Sequence, residues 1–340
     1  MRFAQAVATA IVLLASASAG AGPAPPRPFL VSPRMVLELP DAPTKEDVAE
    51  GGRFLHAVEQ VARHVDADLV AAGALDPKKT PGAADDAKFD KEPVALSALK
   101  APPKDRWRAV MTRDRDAMVA IIEPLVAKVN TQGTCFYSNG ADAVLAYVPV
   151  PDRDLFRKEV LDWTPRMVLY HRLGLWYRRA AEPAGACIPF GFHSFLRWSH
   201  LPADGSMPAA PGGIDDATLA KLQKQLRDGV FPSLADLFAA RPKDFDDETR
   251  KWTLYGASAV LAEFLTCRTP KAKSEWYALL AKYAASSRPM QEFKLATLLE
   301  HYRKPIGDAA AIEKELRTWL LEKSRPLNAE KAAAAAAAPK

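Results

Sequence analysis

Cysteine is scarce in this sequence: 340 residues hold three, Cys135, Cys187 and Cys267, far apart and without a CxxC pair. That spacing gives no support to a zinc ribbon or a thioredoxin-type redox site. In an oxidising compartment the arithmetic is one disulfide and one free thiol, with Cys135 to Cys187 the first pairing to expect. Buried free thiols are the alternative. Histidine numbers six (His56, His64, His171, His193, His200 and His301), too few to furnish a conventional His-rich metal centre. No basic run exists either: 46 Lys+Arg against 41 Asp+Glu give +5, spread along the chain, so nucleic acid is not an implied partner. No apolar stretch reaches the roughly 20 residues that a membrane span needs. GxGxxG, the Walker loop, the GxSxG elbow, EF-hand spacing and HExxH are all missing. No internal repeat recurs at a fixed period.

What is present suffices for a sizeable core, because 49% of the residues are hydrophobic and 26% charged. Disorder of the whole chain is excluded, and 28 prolines exclude a long coiled coil. The first 19 residues read as an export signal. Arg2 supplies the positive end, residues 6–15 the apolar run, and Ala17-Ser18-Ala19 a small-x-small cleavage site. No cysteine follows to take a lipid, so a secreted or periplasmic protein without a transmembrane segment is expected. Residues 20–34, rich in Pro and Ala, read as a tether.

Met35 to Leu39 form a strand pattern that Pro40 stops. Residues 47–72 carry Val48, Leu55, Val58, Val61, Ala62, Val65 and Leu69 near a 3.6 period, which predicts a helix. Its His56 and His64 belong to a packed face rather than a metal site. Residues 73–103 read as a long exposed connection. A strand at 106–111, a helix at 114–130 and strands at 135–137 and 143–150, with Ser138-Asn139-Gly140 offering turn chemistry, imply a small mixed sheet. Beyond Leu161 the strand signal ends. Helices are expected at 162–180, 190–200, 215–227, 233–239, 246–266, 271–285, 289–302 and 309–323. The fold class is therefore α+β: a small mixed sheet with helices at 35–205, an all-helical part at 206–325, and a low-complexity tail at 326–340.

The order of these elements carries a resemblance. Strand 107–111, a helix, the Phe136-Tyr137 strand, a strand ending Ala146-Tyr147-Val148 and a helix around His171 precede Ile188-Pro189-Phe190-Gly191-Phe192-His193-Ser194-Phe195-Leu196-Arg197-Trp198. Further on stand Phe231-Pro232-Ser233-Leu234-Ala235-Asp236-Leu237-Phe238 and the helix Tyr255 to Leu265. Over about 35–323 this resembles secreted bacterial gluzincin-like proteins of the peptidase-MA type, including a related family described only as a domain of unknown function. In them a helix bearing HExxH is followed by a second helix supplying a carboxylate.

The resemblance implies a degenerate site. With His171 on the first histidine of HExxH, Arg172 stands where the general base belongs, Leu175 where the second zinc histidine belongs, and His193 in place of the downstream glutamate. A working site needs two imidazoles at i and i+4 on one helix face, an adjacent carboxylate base and the downstream carboxylate. Leu175 has no lone pair, and a guanidinium stays protonated. At about 5 Å and an effective dielectric near 20, Arg172 alone repels a divalent cation by about 7 kcal/mol. No metal, no cofactor and no catalytic residue is therefore expected.

Ser194 beside His193, or Cys187 with either histidine, lacks the strand-turn-helix elbow of a nucleophile. The aromatics Trp163, Tyr170, Trp176, Tyr177, Phe190, Phe192, Phe195 and Trp198 read chiefly as helix-helix core. Arg172, Arg197, Trp176 and Trp198 are the candidate ligand-binding residues of a cationic groove, with surface ion pairs as the plainer role for the arginines. The expected function is a secreted non-catalytic pseudopeptidase binding a peptide or envelope component in the old cleft. The alternatives are a hydrolase with a rearranged site around His171 and His193, and a structural envelope protein.

Overall fold

Five short segments with alternating apolar residues pair into one mixed sheet in a computed structural model. It describes residues 27–123, 133–138, 144–173, 185–199, 201–208, 212–267, 273–274, 276–278, 281 and 309–323. The strands are β1 (Phe29–Val31), β2 (Met35–Glu38), β3 (Trp107–Met111), β4 (Cys135–Ser138) and β5 (Val144–Tyr147). Their order is β1-β2-β3-β5-β4: β2, β3 and β5 run parallel, and the edge strands β1 and β4 run antiparallel to their neighbours.

Helix α1 (Lys45–Ala71) follows β2, capped by Thr44 in a reciprocal box with Asp47. Next come a 3-10 turn at Pro77–Lys79 and helix α2 (Ala83–Lys91). After β3 comes α3 (Arg115–Ile122), whose first turn is capped by Asp114. Side chains of alternate sign along β3 decide the layers. Trp107, Ala109 and Met111 join Leu145 and Tyr147 in the main core with α1, while Val110, Val144 and Ala146 meet Met118 and Ile122 of α3 in a smaller cluster.

Helix α4 (Arg153–Leu173) then packs against α1, β4 and α5 (Cys187–Arg197). The remaining described elements are α6 (Asp216–Arg227), α7 (Leu234–Ala239), a 3-10 turn at Pro242–Asp246, α8 (Lys251–Cys267) and α9 (Ala309–Glu322). The α+β class with a small mixed sheet therefore holds. The helical reading of 206–325 fits every element described there, while the helix expected at 289–302 lies outside the described residues.

Several expectations change. The tether ends earlier than residue 34, because Phe29–Val31 is an edge strand with Leu30 fully buried and Ser97 N–H bonded to the Phe29 carbonyl. The exposed connection at 73–103 contains the 3-10 turn and α2. Cys135 and Cys187 are free and buried, not bridged, and burial pushes both thiols above the ordinary range. The side chain of Cys267 lies outside the described residues. One buried cluster includes residues from Leu30 to Leu320, so position 205/206 does not divide two cores. The close approach of α5 to α8 spans that boundary.

Helix α4 begins at Arg153 rather than 162. Pro165 invites a reading of its own neighbourhood as a first helical turn. Instead Asp152 Oδ1 accepts from the Asp154 and Leu155 amides and starts the helix about two and a half turns earlier. Phe156 and Val160 anchor those added turns in the core.

Candidate functional site

Helix α4 carries polar side chains on two faces. On one, Glu159, Asp162, Trp163 and Arg166 follow the i, i+3, i+4, i+7 spacing that stacks side chains along a helix. Asp162 Oδ1 accepts from Arg166 Nη2 at 3.0 Å, and its Oδ2 accepts from Arg197 Nη1 of α5 at 3.2 Å. The Arg166 guanidinium lies over the Trp163 ring, 4.6 Å from its centroid. Trp163 Nε1 in turn donates to Glu159 Oε2 at 3.2 Å. Edge strand β4 closes this side through Phe136, whose ring is 4.8 Å from Trp163. Burial, with Asp162 adding its charge, raises Glu159 against the opposing Arg197. On α8, burial raises the Tyr255 phenol, which feels Arg166, Asp162, Asp246 and Arg197. His193, 1% exposed on α5, feels the Arg166 charge.

The other face carries His171 and Arg172. The His171 ring stacks on Trp107 of β3 at 5.2 Å and 10°. Arg172 makes a bidentate pair with Asp66 of α1, both bonds 2.9 Å, and donates from Nη1 to the Lys79 carbonyl at 2.7 Å. Asp66 also accepts from Arg34 Nε, and Arg34 Nη1 reaches Glu59 and Asp86. These carboxylates outweigh the desolvation of Arg34 and raise its pKa.

The sequence-based site is thereby divided. His171 lies about 140° round the helix from Arg166, at 100° per residue, so it cannot share the face that looks toward His193. Ten residues separate Asp162 from Arg172, about 15 Å along the axis. Arg172 and Arg197 therefore belong to different surroundings, not to one groove. Leu175 and Trp176 lie outside the described residues. Trp198 is partly buried against the core, Ser194 is buried, and Cys187 sits in the main cluster. Among the described residues no group of three or more His, Cys, Asp or Glu could hold a metal ion, and no helix is long and apolar enough to cross a membrane.

Both imidazoles, His193 buried and His171 partly so, resist protonation. Burial, reinforced by Arg172, lowers His171 to about 4, and burial with Arg166 lowers His193 well below the ordinary range. In the unfolded chain each takes a proton near pH 6.5. The unfolded state therefore binds more protons below that pH, and stability falls as pH drops from about 6.5 toward 4. For His171 the loss is about 2 kcal/mol at pH 4.5. Urea denaturation at pH 7 and pH 4.5 should register it, and His171→Phe, which keeps a ring on Trp107, should remove that share. An unchanged pH difference in this variant would refute the assignment.

Sequence reasoning missed Arg166 and gave Glu159 and Asp162 only as surface ion-pair partners of the arginines, a pairing that Asp162 and Arg197 make. The signal for Asp162 and Arg166 was an Asp and an Arg at i and i+4 flanking Trp163, obscured by placing the helix start at 162. It also missed a depression of about 460 Å³ at the carboxyl ends of β2 and β3, lined in part by Pro40, Met111, Arg113 and Ile121. There α1 and α3 leave onto opposite faces of the sheet, which opens a crevice between adjacent strand ends. Comparison of the chain with protein-family models and with curated proteins found no match to either.

Proposed function

We propose that the chain is an exported, non-catalytic protein on a gluzincin-like frame, which binds a peptide or envelope component along α4, α5 and edge strand β4. One observation carries this reading. Where such a frame needs two imidazoles one turn apart facing a downstream ligand, α4 offers Asp162 and Arg166, paired with each other, with Asp162 also paired to Arg197, opposite His193. On this reading the degenerate motif would correspond to Asp162-Trp163-Thr164-Pro165-Arg166 rather than to residues 171–175. An ion-paired guanidinium at the second ligand position repels a divalent cation and offers no lone pair. The antiparallel edge strand β4 supports a peptide as the occupant, because an edge can pair with an extended segment.

Grafting tests the frame. Asp162→His, Trp163→Glu, Arg166→His and His193→Glu together should yield a folded protein that takes up stoichiometric zinc, read by metal analysis beside the wild type. A folded variant without zinc would overturn the shared frame. Stoichiometric metal and chelator-sensitive peptide cleavage by the wild type would overturn the non-catalytic reading.

The second reading is a hydrolase, favoured by the pairing of Glu159, raised by burial, with Asp162, held by two arginines. Carboxylates in contrasting environments can divide acid and base roles. Hydrolysis of a generic peptide or casein that is abolished by Glu159→Gln would favour it over the first.

A further inference from the structure

On the Arg172 side of α4, a cavity of about 260 Å³ opens between the Pro77–Lys79 turn, residues 33–34 and the start of β3. Arg34, Lys78, Lys79, Arg106 and Arg172 contribute to its lining, against Asp85 and Asp105. The carboxylates that balance Arg34 and Arg172, namely Glu59, Asp66 and Asp86, are absent from that lining. The buried ion layer therefore presents its positive side to the cavity. Arg34 is itself 4% exposed, held by three carboxylates, so this wall is rigid.

The donors left for a ligand define its chemistry. Arg172 spends its fork on Asp66 and the Lys79 carbonyl, and Arg34 spends Nε and Nη1 on Asp66, Glu59 and Asp86. Lys78 and Lys79 are exposed at the mouth. Arg106 Nη1 lies 3.6 Å from the exposed Asp105 carboxylate, while its Nε is buried without a hydrogen-bond partner among the described residues, an arrangement that calls for an acceptor. Ammonium groups act as compact point charges, which suits a tetrahedral, doubly charged oxyanion. A planar carboxylate is better served by a free arginine fork.

We infer that this cavity binds a phosphate monoester, with Lys78, Lys79 and Arg106 holding the phosphate. The site is independent of the zinc-like frame, since none of these residues touches the face of α4 that carries Asp162. Calorimetric titration of the full chain at low ionic strength with inorganic phosphate and glycerol 3-phosphate, and with acetate as the planar monoanion, tests it. Both phosphates should bind and acetate should not. Binding should weaken severalfold at 0.15 M salt through screening. Lys78→Ala with Lys79→Ala should weaken it about tenfold, each charge contributing a fraction of the roughly 1.4 kcal/mol that tenfold represents. Arg106→Gln should weaken it in the same direction. Absence of phosphate binding, equal binding of acetate, or binding unchanged in the double lysine variant would overturn the inference. The lysines are exposed, so these variants should fold, and an unchanged thermal midpoint without ligand verifies it.

Discussion

Arg34→Met should destabilise the protein by about 3–5 kcal/mol, the range for breaking a buried ion pair by removing one partner. The Arg34 side chain is 3% exposed, and its Nη1 and Nε lie 2.7 Å from Glu59, 2.8 Å from Asp86 and 2.9 Å from Asp66. Without it Glu59, itself fully buried, keeps among the described residues only Ser32 Oγ and the Arg34 amide as short-range donors. Asp66 then depends, among the described residues, on Arg172. Arg34→Lys should recover little, because one ammonium cannot reproduce the planar fork across three carboxylates. The comparison is Arg63→Ala, whose partner Asp90 is about half exposed and whose loss should be within about 1 kcal/mol. Urea denaturation measures all three. A loss below about 1 kcal/mol for Arg34→Met would mean that the network is not closed as described.

Gly191→Ala should cost about 3 kcal/mol or more, the upper end for overpacking a close-packed core. A Cβ at this position of α5 would lie 2.4 Å from the Ser258 carbonyl oxygen of α8, and the nearest obstacle is backbone that cannot rotate away. The glycine is therefore what lets α5 and α8 cross so closely. Gly82→Ala serves as the control, since its nearest neighbour would be an Asp85 carboxylate oxygen at 3.7 Å. Thermal and urea melts should separate the two variants clearly. Equal stability would show that α5 and α8 are further apart than described.

Patterns with a short period were legible from the residues alone. The 3.6 spacing from Val48 to Leu69 gave α1, and the strand patterns gave β2 and β3 within a residue of their observed ends, while β5 stops at Tyr147, three residues before the expected end. Phe29–Val31 escaped notice because three residues flanked by prolines carry no alternation. Its strand state comes from pairing with β2 and from Ser97. The start of α4 was hidden by Pro165, and that error moved the whole site. Once the helix is taken to begin near 162, the i and i+4 face of Asp162 and Arg166 lies in its first turn, and His171 becomes the attractive anchor.

The rest of the site was not legible because it depends on partners distant in sequence. Nothing near Arg172 announces that Asp66 will take its fork, and nothing near Arg106 foretells the Pro77–Lys79 turn beside it. His193 was expected in place of the downstream glutamate of a zinc site. Its neighbour is Arg166 on α4, which linear spacing within α5 could not reveal.

The ion network around Arg34 also bears on the order of folding. Its contacts span 25 residues to Glu59 and 52 to Asp86, and Asp66 reaches a further 106 to Arg172. Distant closures of this kind slow the search for the native state. The ion layer is consequently complete only once the helix ending at Leu173 has docked through Arg172.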